Sequence, residues 1–474
     1  MKKNVLMKIS IYMKMFFVAN FLLVATLSYA KHCCDFKIDA LNRQALSLKE
    51  HCVSIKEFVD CISTDCCGGG ESCPCAPIVI NSLTETIDNP GSYCLSENVV
   101  TTITVTTNAG VAIDLNGYTA SSLILGNNCK VKNGTVYGLG VGSNAFVSNV
   151  RVNGVTGNGA GSSVVLVDCS RLTSLQNVER VVMTRCTGDG TSIFQIFAGV
   201  KDVTMYDSLF ASVRVQEASV GFERLSLYRS LVKGNVEFYI SDSLREFSCY
   251  QSVIAEELQF NSIAPQFERM LIEESQIGRI SAFFSGAQVL NASIQRSVFK
   301  NGISTSNCSN LLVRKSQLSG PFSIYTDNNV MIDNISVVTS LGAAAFGLSA
   351  GKNILLTDCC ATALNQTGYV SSTPYPENLN LVRCFAKGCA NGFNVASDSC
   401  LMKDCVCDGA TNTGFIGSDN VRAVGNIALS VGGIPVDNFD LSGAPFDPIV
   451  VNDPSVSNDA ATNSIWRNMS FELP

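Results

Sequence analysis

Histidine is nearly absent from this chain. Two of its 474 residues are His, and both fall early, at His32 and His51. Everything after residue 51 must do without the side chain that most often serves as general base, proton shuttle and metal ligand near neutral pH. Charge is also scarce, at 15% of residues, while 46% are hydrophobic. That balance excludes intrinsic disorder and supplies a large core. Basic residues are outnumbered 33 to 40, for a formal charge of −7. No basic patch of the kind that follows a phosphate backbone is present, so no nucleic-acid partner is expected. No metal or cofactor motif is found either.

The one long apolar run lies at the N-terminus. Lys2, Lys3, Lys8 and Lys14 precede "MFFVANFLLVATL", and "SYA" follows, ending at Ala30. This reads as a secretory signal over residues 1–30. The run is short for a membrane span, and no later stretch could make one, so no transmembrane segment is expected after signal removal. Its removal takes four lysines away and brings the formal charge to −11. A secreted or cell-surface location follows as an expectation. In that setting the 21 cysteines imply disulfides, and the odd total leaves at least one thiol over. The "CC", "CC" and "CPC" clusters between Cys33 and Cys75 lack paired C-x-x-C knuckles, which favours disulfides over zinc.

Residues 31–77 form a Cys-rich segment with a Gly linker. Within it Cys34, Ile38, Leu41, Ala45, Leu48, Cys52, Ile55, Val59, Ile62 and Cys66 follow a 4-3-4-3 spacing. A period of about 3.5 is the seam of an α-helical coiled coil. The run has no Pro or Gly, and Gly68-Gly69-Gly70 ends it. Such a helix is roughly 48 Å long. It could cap the domain that follows. A cap needs only a short helix, however, and a seam of this length favours a homo-oligomer joined through Ile38, Leu41, Leu48, Cys52, Ile55, Val59 and Ile62.

From residue 78 the sequence repeats. "VTMYDSLFAS", "LSLYRSLVKG" and "FSCYQSVIAE" begin at Val203, Leu225 and Phe247, 22 residues apart. The Ser of each stretch belongs to a column running Ser208, Ser230, Ser252, Ser275, Ser297, Ser316, Ile335, Cys359, Cys384, Cys405 and Asn426. Backwards it reaches Cys186, Cys169, Gly134 and Asn116, with the register open between Phe146 and Gly157. A second apolar column contains Phe238, Phe260, Phe322, Phe393 and Phe415. Self-similarity of this kind means stacked units, none of which can bury its own apolar face. Period-two alternation makes the units β coils. The period is then the circumference of one coil. Small Ser or Cys fits an inner corner, Phe fills the wider interior, and stacked cysteines there read as buried thiols. A leucine-rich repeat lacks its L-x-x-L-x-L-x-x-N core here.

These repeats, with the entry segments "NPGSYCLSENV" and "VAIDLNGYTASS", resemble the right-handed parallel β-helix of pectin-lyase-like proteins, including secreted β-helix proteins of bacteria. The resemblance implies a single-stranded all-β solenoid over residues 78–434 and an irregular C-terminal cap over 435–474. It implies fold more than function, because the family hosts lyases, hydrolases, esterases, adhesins and tailspikes. Its galacturonan hydrolases carry Gly-His-Gly and Arg-Ile-Lys, both missing from this sequence. Its pectate lyases bind calcium through clustered Asp, whereas Asp327 in "YTDNN" stands alone. The adjacent acids Glu256-Glu257 and Glu273-Glu274 point to opposite faces of a strand and read as solvated charge.

One outward feature remains. Tyr206, Tyr228 and Tyr250 occupy the same outward position of three successive coils. They are candidate glycan-binding residues, and equally a cross-coil ladder that stabilises the sheet. The function expected is that of an exported, non-catalytic surface protein, glycan-binding or adhesive. A polysaccharide lyase or glycoside hydrolase is the alternative, and a purely structural envelope component the third reading. The seam carries its own test. In sedimentation the chain from residue 31 onward is expected to associate and a chain lacking 31–75 to be monomeric; monomers in both cases would leave the helix as a cap.

Overall fold

The computed structural model describes residues 78–429 apart from short breaks, at 82, 108–109, 217–220, 241–243, 262–265, 282–287, 326, 340–341 and 419, together with Phe439–Asp440, Ile449–Val451 and Asn468–Phe471. The signal segment 1–30 and the whole 34–66 seam lie outside the described residues. The described residues contain strands and no helix.

The strands pair in parallel, each with its equivalent one coil on, in three columns of strands. The first sheet passes through Asp202–Tyr206, Arg224–Tyr228 and Leu244–Tyr250. The second passes through Leu209–Phe210 and Leu231–Val232, and the third through Ser212–Val215 and Val236–Phe238. One inward position of the first sheet shows how regular the stacking is. Met183, Met205, Leu227, Cys249, Ile272, Ile294, Val313, Ile332, Leu356, Leu381, Met402 and Ala423 lie in register, each against the next. All are buried. The chain is a parallel β-solenoid, and its sequence period is one turn.

Alternation explains the strands, and a special corner explains why they end. The residue after each first-sheet strand has left-handed backbone: φ is 49° at Asp207, 48° at Arg229, 47° at Gln251, 50° at Glu274 and 48° at Arg296. An L-residue pays roughly 1–2 kcal/mol to sit there. The inward Ser that follows supplies the compensation. Ser208 N–H donates to Ser230 Oγ at 3.2 Å, Ser230 N–H to Ser252 Oγ at 3.0 Å, and Ser252 N–H to Ser275 Oγ at 3.2 Å. Each hydroxyl in turn donates to a carbonyl two residues back, as Ser252 Oγ does to Tyr250 O at 2.8 Å. A buried N–H that the sharp corner removes from the sheet ladder is thereby satisfied. At Asn426 the side-chain amide does the same, Oδ1 accepting from Cys405 N–H at 2.9 Å and Nδ2 donating to Met402 O at 3.0 Å.

The structure fills the gap left in the sequence register. Val150 occupies the corner column, directly against Gly134. Gly134 is required where it stands, since a Cβ there would lie 2.4 Å from Leu115 Cβ and 2.6 Å from Tyr118 O. In the third sheet the single Phe column read from the sequence is two. Phe238 and Phe260 follow Val215, while Phe322, Phe393 and Phe415 continue Val236, Leu258, Ile280 and Ile303, because two inward positions of each strand accept a ring. Phe346, Tyr369, Phe393 and Phe415 stack at ring separations of 4.7, 4.6 and 4.8 Å, within 2° of parallel. Tyr369 belongs because its hydroxyl donates to Cys359 O at 2.7 Å, which removes the cost of burying it. The cysteine expectation divides. Cys169, Cys186, Cys359, Cys384, Cys400, Cys405 and Cys407 are buried thiols. The disulfides expected of a secreted chain are not found among the described cysteines, all of which are free. In-register stacking points equivalent side chains the same way, a poor geometry for an S–S bond. At the far end Phe439 pairs with Phe415, and Asn468–Phe471 pairs with Ile427–Leu429, so strands continue the second and third sheets past residue 434.

Two predictions follow from the interior. Ser252→Ala leaves Ser230 N–H without an acceptor and adds no atom to the corner; it should cost about 1–3 kcal/mol. Ser252→Cys, the residue used at other corners, should cost less, and equal losses in a denaturation series would refute the hydroxyl's role. The second concerns Asp327, which is fully buried. Its carboxylate accepts from Thr305 Oγ1 and from Cys308 N–H, each at 2.6 Å. Burial nevertheless pushes its pKa up to about 6. Between its unfolded value of about 4 and about 6, the native state holds the extra proton, so stability falls as pH rises through that window, by about 3 kcal/mol. Asp327→Asn should therefore gain thermal midpoint relative to the parent from pH 4 to pH 6.5. A constant difference across that range would show that Asp327 titrates normally.

Candidate functional site

Outward residues of the first sheet form columns just as regular as the inward ones. In the coils of Asp202–Tyr206, Arg224–Tyr228 and Leu244–Tyr250 they read Asp202, Arg224, Glu246; then Thr204, Ser226, Ser248; then Tyr206, Tyr228, Tyr250. Rungs lie about 4.8 Å apart and neighbouring outward columns about 6.6 Å. The middle column is made of small hydroxyl residues between two taller ones. Ser226 and Ser248 are only 3% and 7% exposed, so the flanking side chains overhang them.

The three tyrosines are together, on the outer face, and half-buried. They are not three equivalent platforms. Tyr206 and Tyr228 stack on each other, ring centroids 4.9 Å apart and 14° from parallel. Tyr250 is turned away, 6.5 Å from Tyr228 and inclined at 55°, with its hydroxyl against Glu274. Tyr228 thus has a neighbour on both sides, while Tyr206 and Tyr250 end the ladder. Burial raises the pKa of the Tyr228 hydroxyl, with Glu246 adding to it.

Charges alternate along the face. The column through Asp202 reads Arg180, Asp202, Arg224, Glu246, Arg269 and Asn291. It continues as an asparagine ladder in which Asn310, Asn329, Asn353 and Asn378 each donate Nδ2–H to the Oδ1 one coil earlier, at 3.0–3.1 Å. The left-handed corner residues alternate too. Arg185 grips Asp168 through two bonds of 2.7 Å, Arg229 grips Asp207 at 2.7 and 2.8 Å, and Arg383 grips Asp358 at 2.7 Å twice. These bonds hold the three aspartates below the usual carboxylate range. Sequence reading missed both columns. The signal was present, since a charged or amide residue precedes the Ser or Cys column in coil after coil.

The adjacent acids singled out in the sequence take structural roles. Glu257 lies 3.9 Å from Arg279 beside a shift in strand register, and Arg296 binds both Glu273 and Glu274. Among the described residues no group of three His, Cys, Asp or Glu side chains could hold a metal ion. A separate open hollow of about 390 Å³ lies at the corner near Asn133, Asn149, Arg151 and Asp168, where Arg185 engages the one acid. Chemically, the tyrosine face offers ring surface, hydroxyls and alternating donors and acceptors on a straight, repeating grid. No protein-family model, curated protein or solved structure matches the chain.

Proposed function

We propose that this chain is an exported, non-catalytic solenoid of the cell surface or extracellular space that binds glycan along the first-sheet face carrying Tyr206, Tyr228 and Tyr250. The observation that carries this reading is the juxtaposition of an aromatic column, a hydroxyl floor and a charged column, in register over three successive coils. A sugar ring needs an apolar contact and a set of donors and acceptors beside it. A polymer of sugars also needs these to recur along a line. We further propose the right-handed, pectin-lyase-like form of the β-helix, the hand that parallel crossovers overwhelmingly adopt. Association through Ile38, Leu41, Leu48, Cys52, Ile55, Val59 and Ile62 would bring several such faces together and convert weak contacts into avidity.

A glycan-array screen combined with an assay for released unsaturated or reducing sugars tests the reading. Binding of a glycan is expected, and no cleavage of polygalacturonate, alginate or chondroitin, with or without calcium. Release of product would instead establish the polysaccharide lyase or hydrolase alternative. Stacking on an aromatic ring contributes on the order of 1–2 kcal/mol. Tyr206→Ala with Tyr250→Ala, which removes the two terminal rings, should weaken binding about a hundredfold. Tyr228→Ala alone should lower the thermal midpoint more than it lowers affinity. A double variant that binds as well as the parent would return the tyrosines to a ladder that only stabilises the sheet.

A further inference from the structure

We infer that Asp202 and Arg224 are a hydroxyl-reading pair on this face, and that they select a neutral glycan bearing vicinal hydroxyls over a polyanionic one. The inference rests on the glycan-binding reading and gives it a substrate class.

Asp202 and Arg224 are in-register neighbours of opposite charge, yet each has a side-chain atom left idle. Asp202 Oδ1 and Arg224 Nε are buried and have no hydrogen-bond partner. The nearest cation to Asp202 is Arg180, with Nε 3.9 Å from Oδ2, beyond hydrogen-bond reach. Some neighbouring pairs are as loose, Arg245–Glu223 at 3.8 Å and Arg269–Glu246 at 3.7 Å, but others are closed. Arg185–Asp168 and Arg229–Asp207 are closed by two bonds each, and Glu246 accepts from Ser248 Oγ at 2.8 Å. Leaving a buried polar atom unpaired is a loss to the fold, and an apolar pair would serve the fold better. The arrangement makes sense if the missing partners come from outside the chain.

The chemistry of those partners is constrained. An ionised Asp only accepts and an Arg only donates. One hydroxyl that donates to Asp202 and a neighbouring one that accepts from Arg224 satisfy both, which is what two adjacent sugar hydroxyls offer. Thr204 and Ser226 lie between this pair and the Tyr206–Tyr228 stack. A sugar can therefore turn its hydroxyl edge to the charged column and its apolar face to the rings. Access runs past Arg180, whose side chain is 73% exposed and holds Asp202 only at 3.9 Å, so it can move aside without breaking a hydrogen bond. Burial raises the Asp202 pKa more than Arg224 lowers it, in keeping with a carboxylate short of donors. A polyanion gains little here. Its row of negative charge would meet Asp202, Glu246 and Asp207 interleaved with Arg180, Arg224, Arg229 and Arg269, and alternation weakens the net attraction.

The test uses the full chain with dextran, yeast mannan and xylan, each native or oxidised by periodate and then reduced. Periodate cleaves vicinal diols and opens the sugar ring, removing the hydroxyl pair and the ring face together while the polymer stays linked. At least one native polymer should bind, and its oxidised form should bind at least tenfold more weakly. Asp202→Asn and Arg224→Gln should each weaken binding tenfold or more without lowering the thermal midpoint, and dextran sulfate should not compete. Equal binding of native and oxidised polymer would overturn the inference, and so would variants that bind like the parent. The periodate comparison uses unaltered protein, so equal binding overturns the inference even if a variant fails to fold, while the two substitutions separate the pair from ring stacking. If a neutral polymer binds through Tyr206 and Tyr250 but ignores periodate and both substitutions, glycan binding stands and the pair falls. If no polysaccharide binds, both fall.

Discussion

From Cys186 to Ser316 the regularity of this molecule rests on a hydrogen bond that turns a corner. A β-strand that ends in one left-handed residue leaves the next N–H pointing along the solenoid axis, inside, with no carbonyl opposite it. Ser230 Oγ receives that N–H from Ser208, and Ser252 Oγ receives it from Ser230. The bond reaches from one coil to the next, so it fixes the corner and the rung spacing together. Once both are fixed, every other residue of the coil is placed above its equivalent. Parallel pairing, the interior aromatic stack and the outward columns are consequences.

The same constraint works on the outside, where it creates risk as well as opportunity. In-register stacking would set like charges about 4.8 Å apart along the whole rod. In places the chain avoids this by alternating sign, Asp168 with Arg185 and Asp207 with Arg229, or by using Asn, while Arg296 and Lys315 stand as like-charged neighbours. Left-handed Arg and Asp at the corners are tolerated because each is tied to its neighbour one coil away. Against that background of closed pairs, the open pair at Asp202 and Arg224 stands beside the tyrosine ladder. The proposed glycan site is the part of the face where the satisfaction of polar groups within the chain is left incomplete.

The fold was legible because inward positions face a uniform demand. Ser208, Ser230 and Ser252 recur because a small acceptor satisfies the corner N–H, and Phe recurs because a wide ring fills the third sheet between Phe322 and Phe415. Where the demand was met by different chemistry, the sequence hid the column. Tyr369 disguised the aromatic stack, and Val150 followed Gly134 too soon for the register to be read. Outward columns were harder still. Solvent accepts Asp, Arg, Gln, Glu or Asn alike, so Asp207, Arg229, Gln251, Glu274 and Arg296 share a backbone state and a partner but no residue type. The tyrosines were visible as a column. Their unequal ring geometry, and the idle atoms of Asp202 and Arg224, exist only in three dimensions.

The coils beginning at Val203, Leu225 and Phe247 are interchangeable units of equal length. Each meets its neighbours through the same corner and the same inward columns, so one could be duplicated or lost as a block with the register kept, and only outward pairs such as Arg229–Asp207 would change. A single-residue insertion enjoys no such freedom, because it would turn the inside of one strand outward. Length is therefore a quantity this architecture can vary in whole steps. A protein built this way can change its reach, and the number of rungs it lays against a chain-like partner, by copying text it already contains.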